Sequence, residues 1–399
     1  NKAIAAYVKG SKAGSAEAQT KLGKLYENDK SPMYNMEKAI KYYRLACENG
    51  NPTGLSELGR FYYNGVSGYL QQNYNLAYEH LIKSANMGDK YAQYYVGLMK
   101  YFGHGCIIDI PESIEWFTIA SKNDDNLFTE PMLKLGLLYL NELKPSTHKS
   151  VSQYDFDYGA QFKDINKGVN WLHIASKKGN VEASNKLGKM YRKGLNVKKD
   201  INKSIEYYSD AGDRNDQKAL YHLGLIYYEG KATTTLDDID KAVEFLERIA
   251  KTGHIKARIK LAEIYTRPFP KVTSNENIAS DKVATSNKYD LNSTNIYRSK
   301  YYTKENIAEA LKTLAQFSDV FTNAKAILGE LYYKGIQVKP NVNLAIKLLT
   351  EASQNGHAES MLFLGRIYYK GGNVVKDKNK AIDYLKQSAN KQNVKAENK

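Results

Sequence analysis

Seven histidines and two cysteines are the residues that could ligate a metal or attack a substrate. The histidines, His80, His104, His148, His173, His222, His254 and His357, are scattered along the chain. None belongs to a His-Glu-x-x-His string, which would put two ligands and a general base on one helical face. A zinc site needs three or four ligands close together, and the spacing shows no such set, so neither a metal ligand nor a cofactor is assigned. Cys47 stands where comparable segments carry Ala85, Ser121, Ser176 or Ala389, and Cys106 where they carry Val197, Val338 or Val374. Both read as small apolar packing residues, a common place for a free thiol. Gly103-His104-Gly105 lacks the Lys-Ser/Thr that completes a phosphate loop, and no Gly-x-Ser-x-Gly string marks a nucleophile elbow. Asp124-Asp125 and Asp237-Asp238 fall in polar stretches, where solvated charge is the ordinary explanation. No catalytic residue is assigned, and the reading is of a protein that is not an enzyme.

The remaining candidates are cations. Lysine and arginine number 58 against 43 acidic residues, a net charge of +15. Lys24, Arg60, Lys189 and Arg366 each follow a Leu-Gly pair directly, and Lys21 and Lys186 lie three residues before two of them. On a helix, residues three and four apart share a face, so these six would make a positive stripe. The same slot also holds Leu98, Leu137, Leu225, Glu263 and Glu330, so the stripe is broken and mixed. A nucleic-acid groove would show a contiguous basic face, which favours solvated charge or contact with a protein over contact with RNA.

The elements that must position these cations are visible in the segment from Asn180 to Gly212. Ala183, Leu187, Gly188 and Tyr191 follow helical spacing on one face. Gly188 is a poor helix former, so its presence needs a packing reason, such as close approach of a second helix. Gly194 suits a left-handed helix end. Asp200 or Asn202 is placed to cap a second helix carrying Ile205 and Tyr208. The unit is helix A, loop, helix B. Its Leu-Gly slot recurs at Leu22-Gly23, Leu58-Gly59, Leu135-Gly136, Leu223-Gly224, Leu328-Gly329 and Leu364-Gly365. Val96-Gly97 and Leu261-Ala262 fill the same slot. A fixed period of this size marks a helical solenoid, whose pairs bury their apolar faces only by stacking on one another.

The pattern resembles the Sel1-like repeat, a relative of the tetratricopeptide repeat. Ala358, Leu364, Gly365, Tyr368, Gly371, Val374, Asp377, Lys380, Ala381, Tyr384 and Ala389 follow the family motif almost in order. The resemblance implies an all-α right-handed superhelix of about nine helix-turn-helix repeats. It also implies tyrosines at the end of helix A and inside helix B, with Trp116 and Trp171 as core or half-buried members of the helix B slot. Helix A lines the concave groove in this superfamily, which would put Lys21, Lys24, Arg60, Lys186, Lys189 and Arg366 there.

The expected organisation is a partial repeat, helix B only, over 1–14 and an array over 15–390. Insertions at 142–163 and 267–303 interrupt it between helix A and helix B. The shorter insertion carries Pro145 and the cluster Tyr154, Phe156 and Tyr158. The longer one, rich in Ser, Asn, Thr and Lys, reads as a tolerated surface loop more than as a binding arm. Residues 391–399 read as the start of a further, truncated repeat, so the chain is expected to be a piece of a longer array. Asn202-Lys203-Ser204 and Asn292-Ser293-Thr294 fit the glycosylation pattern, which is short enough to arise by chance. No run of about 18 apolar residues is present, so no transmembrane segment is expected. No signal peptide is visible; the cytoplasm is the expected compartment, with the endoplasmic reticulum lumen and secretion left open.

Together these features point to a non-enzymatic scaffold or adaptor binding one or more protein partners. The resemblance implies roles such as regulating a membrane enzyme or a quality-control complex. An RNA- or acidic-surface-binding basic solenoid and a bacterial host-interaction protein remain as alternatives. A small-molecule substrate is disfavoured.

Overall fold

Most helices begin at a short polar side chain that can hold the first free amides. Asn35 accepts from the Lys38 amide at 2.9 Å, Asp89 from Ala92 at 2.8 Å and Asp200 from Lys203 at 3.0 Å. Each satisfies a donor that the helix itself cannot pair. Asp200, and not Asn202, is therefore the cap of its helix. Even histidine serves: the Nδ1 atoms of His254 and His357 accept from the Ala257 and Ser360 amides, each at 3.1 Å.

The computed structural model describes residues 2–122, 128–143, 160–229, 237–266, 301, 303–336 and 338–397. Among them 19 α-helices and one short 3-10 turn are present, and an isolated bridge between Val66 and Leu70 is the extent of β pairing. The chain forms two compact units, 1–216 and 217–399. The first holds α1 (Lys2–Lys12), α2 (Ala16–Glu27), α3 (Met36–Glu48), α4 (Pro52–Asn64), α5 (Tyr74–Asn86), α6 (Lys90–Phe102), α7 (Ile110–Ser121), α8 (Glu130–Tyr139), α9 (Ile165–Lys177), α10 (Val181–Lys193) and α11 (Ile201–Asp213). The second holds α12 (Gln217–Tyr228), α13 (Asp237–Ala250), α14 (Ile255–Thr266), α15 (Lys304–Phe317), α16 (Thr322–Lys334), α17 (Val342–Gln354), α18 (Ala358–Lys370) and α19 (Lys378–Glu397). Within each unit every helix packs against its neighbours in sequence, and the pairs from α2–α3 to α18–α19 number nine. The array is all-α, and α1 packs against α2.

The Leu-Gly slot is where the two helices of a pair touch. A Cβ on Gly188 would lie 2.9 Å from the Tyr208 ring, one on Gly59 2.6 Å from Leu81 Cγ, and one on Gly365 2.8 Å from Leu385 Cγ. No ordinary side chain tolerates such distances, so close approach is the reason for glycine. Facing it on helix B sits another small residue. Ser113 and Ser204 use this closeness to donate hydrogen bonds to the Gly97 and Gly188 carbonyls at 2.7 and 2.8 Å. Matching slots land in matching places. Gly194 adopts the left-handed conformation, with φ 71° and ψ 35°.

Tyrosines recur in the same way. Tyr26 of α2 lies parallel to Tyr42 of α3 at 5.6 Å, with the Lys38 ammonium 5.4 Å from its centre. Tyr191 and Tyr207 stack at 5.6 Å under Lys203, and Tyr368 and Tyr384 at 6.0 Å under Lys380. Part of the positive charge is thus structural, each lysine lying over the face of a ring. Trp116 and Trp171 are half-buried, Trp116 against the α5–α6 core and Trp171 against the α8–α10 core. Cys47 and Cys106 are free thiols, half-buried beside apolar neighbours.

Two sequence expectations are corrected. Asp238 is buried at the start of α13, 2% exposed, and is not a solvated loop residue. At the far end, α19 runs on unbroken to Glu397, through the point where a new repeat was expected at 391. The physical reason is local. At the corresponding place Gly50, Gly88, Gly179, Gly253 and Gly356 are left-handed and the α11–α12 junction turns on Asn215 with φ 62°, whereas Gln392 stands there within α19. Most of the two insertions lies outside the described residues: 144–159, with Pro145, His148, Tyr154, Phe156 and Tyr158, and 267–300 with 302. Asp124-Asp125 and Asn292-Ser293-Thr294 also lie outside them.

Candidate partner-binding groove

In the first unit, α2, α4, α6 and α8 are the first helices of four successive pairs, and α4 touches both α2 and α6. Residues from all four, with the segment before α8, line a groove of about 580 Å³. One wall is charged. Lys24 and Glu27 come from α2, and Ser56, Glu57 and Arg60 from α4. Arg60 donates from Nε to Glu57 at 2.8 Å and from the guanidinium to Glu27. Burial opposes its charge, but Glu57 and Glu27 outweigh that, so its pKa is raised above the ordinary arginine value. Lys24 approaches Glu57 at 3.8 Å. Behind this wall Tyr43 is fully buried and donates its hydroxyl to Glu27 at 2.7 Å.

The opposite wall is aromatic. Tyr91, Tyr94 and Tyr95 of α6 and Phe128 line it, with Glu130 at the start of α8. Tyr91 and Phe128 centroids are 4.5 Å apart. Tyr94 meets Phe128 edge-on at 5.6 Å and 81°, and Tyr95 at 5.4 Å and 73°. Such edge-to-face packing suits the ring quadrupoles, and Tyr94 and Tyr95 are half-buried. Lys90 lies over the outer rings, 5.2 Å from the Tyr91 centroid and 5.7 Å from that of Phe128. Burial pushes the Tyr94 phenol well above its ordinary pKa, and Tyr95, Glu130 and Glu182 add to the shift. The hydroxyl stays neutral, and the groove can offer ring faces, hydroxyls and carboxylates to a ligand.

Of the six cations expected to form a stripe, the structure brings two together, Lys24 and Arg60, and places both beside carboxylates. Lys186 of α10 is half-buried and pairs with Glu142. Lys21, Lys189 and Arg366 are exposed on α2, α10 and α18. Sequence reasoning missed Glu27, Glu57 and the aromatic wall. The usable signal was Tyr91, Tyr94 and Tyr95, at the helical spacing that gathers residues on one face. Among the described residues no group of three or more His, Cys, Asp or Glu is placed to hold a metal ion. Among them, too, no helix is long and apolar enough to cross a membrane.

Helix pairs repeated at this period, eight of the nine crossing at a glycine, define an α/α repeat protein of the tetratricopeptide-like class. The Sel1 repeat model matches residues 16–51, 52–89, 90–125, 154–180, 181–216, 217–254, 322–357 and 358–393, well over half the chain, and the chain belongs to the Sel1 repeat family. The matched segments omit 255–321, where Ala262 replaces the glycine. Among curated relatives, chitin synthase regulatory factor 1 of Schizosaccharomyces pombe is 28% identical over 26% of this chain and 22% of its own length. Chitin synthase regulator SKT5 of Saccharomyces cerevisiae is 22% identical over 42% of this chain and 25% of its own. The chain spans about a quarter of the length of these curated relatives. A solved Sel1 repeat protein from Oxalobacter formigenes is 19% identical, over 91% of this chain and 90% of that one, with a TM-score of 0.48.

Proposed function

We propose that the chain is a non-catalytic adaptor that holds a protein partner in the groove of α2, α4, α6 and α8. The partner we propose is a membrane-associated enzyme of the chitin synthase kind, engaged from the cytoplasmic side. The observation that carries this reading is the lining itself: aromatic faces, hydroxyls and ion-paired side chains drawn from four successive repeats. Residues of these types dominate protein-binding hot spots, and an extended surface assembled repeat by repeat is what solenoids use to bind partners. The similarity to two chitin synthase regulators supports the choice of enzyme.

The basic-surface reading has less support. Lys24, Arg60 and Lys186 face carboxylates, and Lys38, Lys203 and Lys380 lie over tyrosine rings. These cations already have partners within the fold and do not gather into the contiguous basic face that a nucleic acid would need. Co-purification with a chitin synthase from detergent-solubilised membranes tests the proposal. The enzyme is expected to come down with the wild-type chain and to be depleted with Tyr95→Ala. Recovery no better than with an unrelated bait refutes it.

A further inference from the structure

The groove is an exception to the charge of the chain. Its lining carries three carboxylates, Glu27, Glu57 and Glu130, against two cations, Lys24 and Arg60, in a protein of net charge +15. Arg60 is already held by two of those carboxylates. Glu130 has no ion-pair partner among the described residues. On the opposite side the ring faces of Tyr91 and Phe128 already carry a cation, the ammonium of Lys90. That contact shows what chemistry the wall accepts, because the negative face of an aromatic ring attracts a positive group. Tyr94 and Tyr95 belong to the same wall, and Glu57 and Glu130 line the groove with them.

We infer that the groove takes a basic side chain, lysine or arginine, from a peptide segment of its partner. The cation lies against the faces of Tyr94 and Tyr95, between the carboxylates of Glu57 and Glu130. The inference rests on the adaptor reading above and adds the chemistry of the segment held. An acidic segment or an RNA backbone would meet three carboxylates and the same ring faces. It could reach Arg60 only by breaking that residue's pairing with Glu27 and Glu57. An apolar segment would leave Glu130 without a counter-ion in a groove partly shielded from water, where charge complementarity decides between partners.

The test is panning of a phage-displayed random peptide library on the full chain, followed by fluorescence polarisation with the labelled winning peptide. Enriched sequences are expected to carry a lysine or arginine at a fixed position. Replacing that residue by norleucine should weaken binding about tenfold or more, the size of a partly desolvated cation–π and charge-assisted contact. Glu130→Gln should weaken it several-fold, and Tyr94→Leu should do so as well. Glu130 is half-buried at a helix start, so its variant keeps the test independent of any packing cost at Tyr94. Enrichment of acidic or purely apolar sequences that compete with one another for the chain overturns the inference while leaving the adaptor reading standing. Indifference of binding to the norleucine exchange has the same meaning. No enrichment over empty beads removes both.

Discussion

Replacing Gly188 by alanine should destabilise the protein even though alanine is the better helix former. The added methyl would lie 2.9 Å from three atoms of the Tyr208 ring. Tyr208 is 1% exposed, so its ring can yield only by shifting packed neighbours. Inserting a methyl into a packed site costs about 1–3 kcal/mol. The gain in helix propensity returns roughly 0.8–1 kcal/mol. The net expectation is a loss of up to about 2 kcal/mol, read as a lower urea midpoint at unchanged slope by far-UV circular dichroism. Repeat arrays can open unit by unit, so hydrogen exchange at the α10 and α11 amides should show the loss concentrated there. A double-mutant cycle sharpens the test. Tyr208→Ala removes the atoms the methyl would strike, so the two changes together should cost clearly less than their sum. A Gly188→Ala protein more stable than wild type, as helix propensity alone would make it, or additive behaviour in the cycle, would refute close approach as the reason for the glycine.

Three further outcomes are expected. Tyr43→Phe removes the 2.7 Å hydrogen bond to Glu27 and should cost about 1 kcal/mol of stability by the same urea assay, moderated because Glu27 keeps Arg60; an unchanged midpoint would count against the bond. Burial lowers the pKa of His104, His173 and His254, so the folded chain prefers neutral imidazole and the unfolded chain binds protons more readily. The stability these groups supply is complete above the ordinary histidine value of about 6.5 and falls as pH drops through the lowered folded values. The Tm should therefore decline between about pH 7 and pH 5, and His254→Asn, which keeps a cap acceptor, should flatten part of the slope; a Tm indifferent to pH in that window would contradict it. Burial, with Glu48 adding, pushes the Cys47 thiol up to about 12, so iodoacetamide should modify it slowly at mildly alkaline pH until urea unfolds the chain; labelling as fast as in urea would show an open site.

The repeat was legible because it is local. Gly59, Gly188 and Gly365 face their own helix B, which follows within a few residues, so spacing alone located the contact. Asp200 and Gly194 announced a helix start and end through their own chemistry. The groove was harder to read because its contacts run between repeats. Arg60 and Glu27 are 33 residues apart, and nothing in either repeat alone says that they meet. The six cations looked like a stripe because sequence shows which slot a lysine occupies and not which carboxylate lies opposite. Tyr91 and Tyr94 were absorbed into the general tyrosine content, whose usual places are the end of helix A and the middle of helix B. They stand in the first half of helix A, facing the groove. The continuation of α19 was misjudged because Asn393-Val394-Lys395-Ala396 resembles a repeat start, while Gln392 stands where Gly179 turns the chain at the matching junction.

The groove as the seat of partner binding is tested most directly by site-specific photo-crosslinking. Benzoylphenylalanine would be placed at Lys24, half-exposed on the charged wall, and separately at Lys83, 60% exposed on α5. With a chitin synthase present in the membranes, an adduct to that enzyme is expected from position 24 and not from position 83. Adducts of equal yield from both positions, or from position 83 alone, would contradict the account.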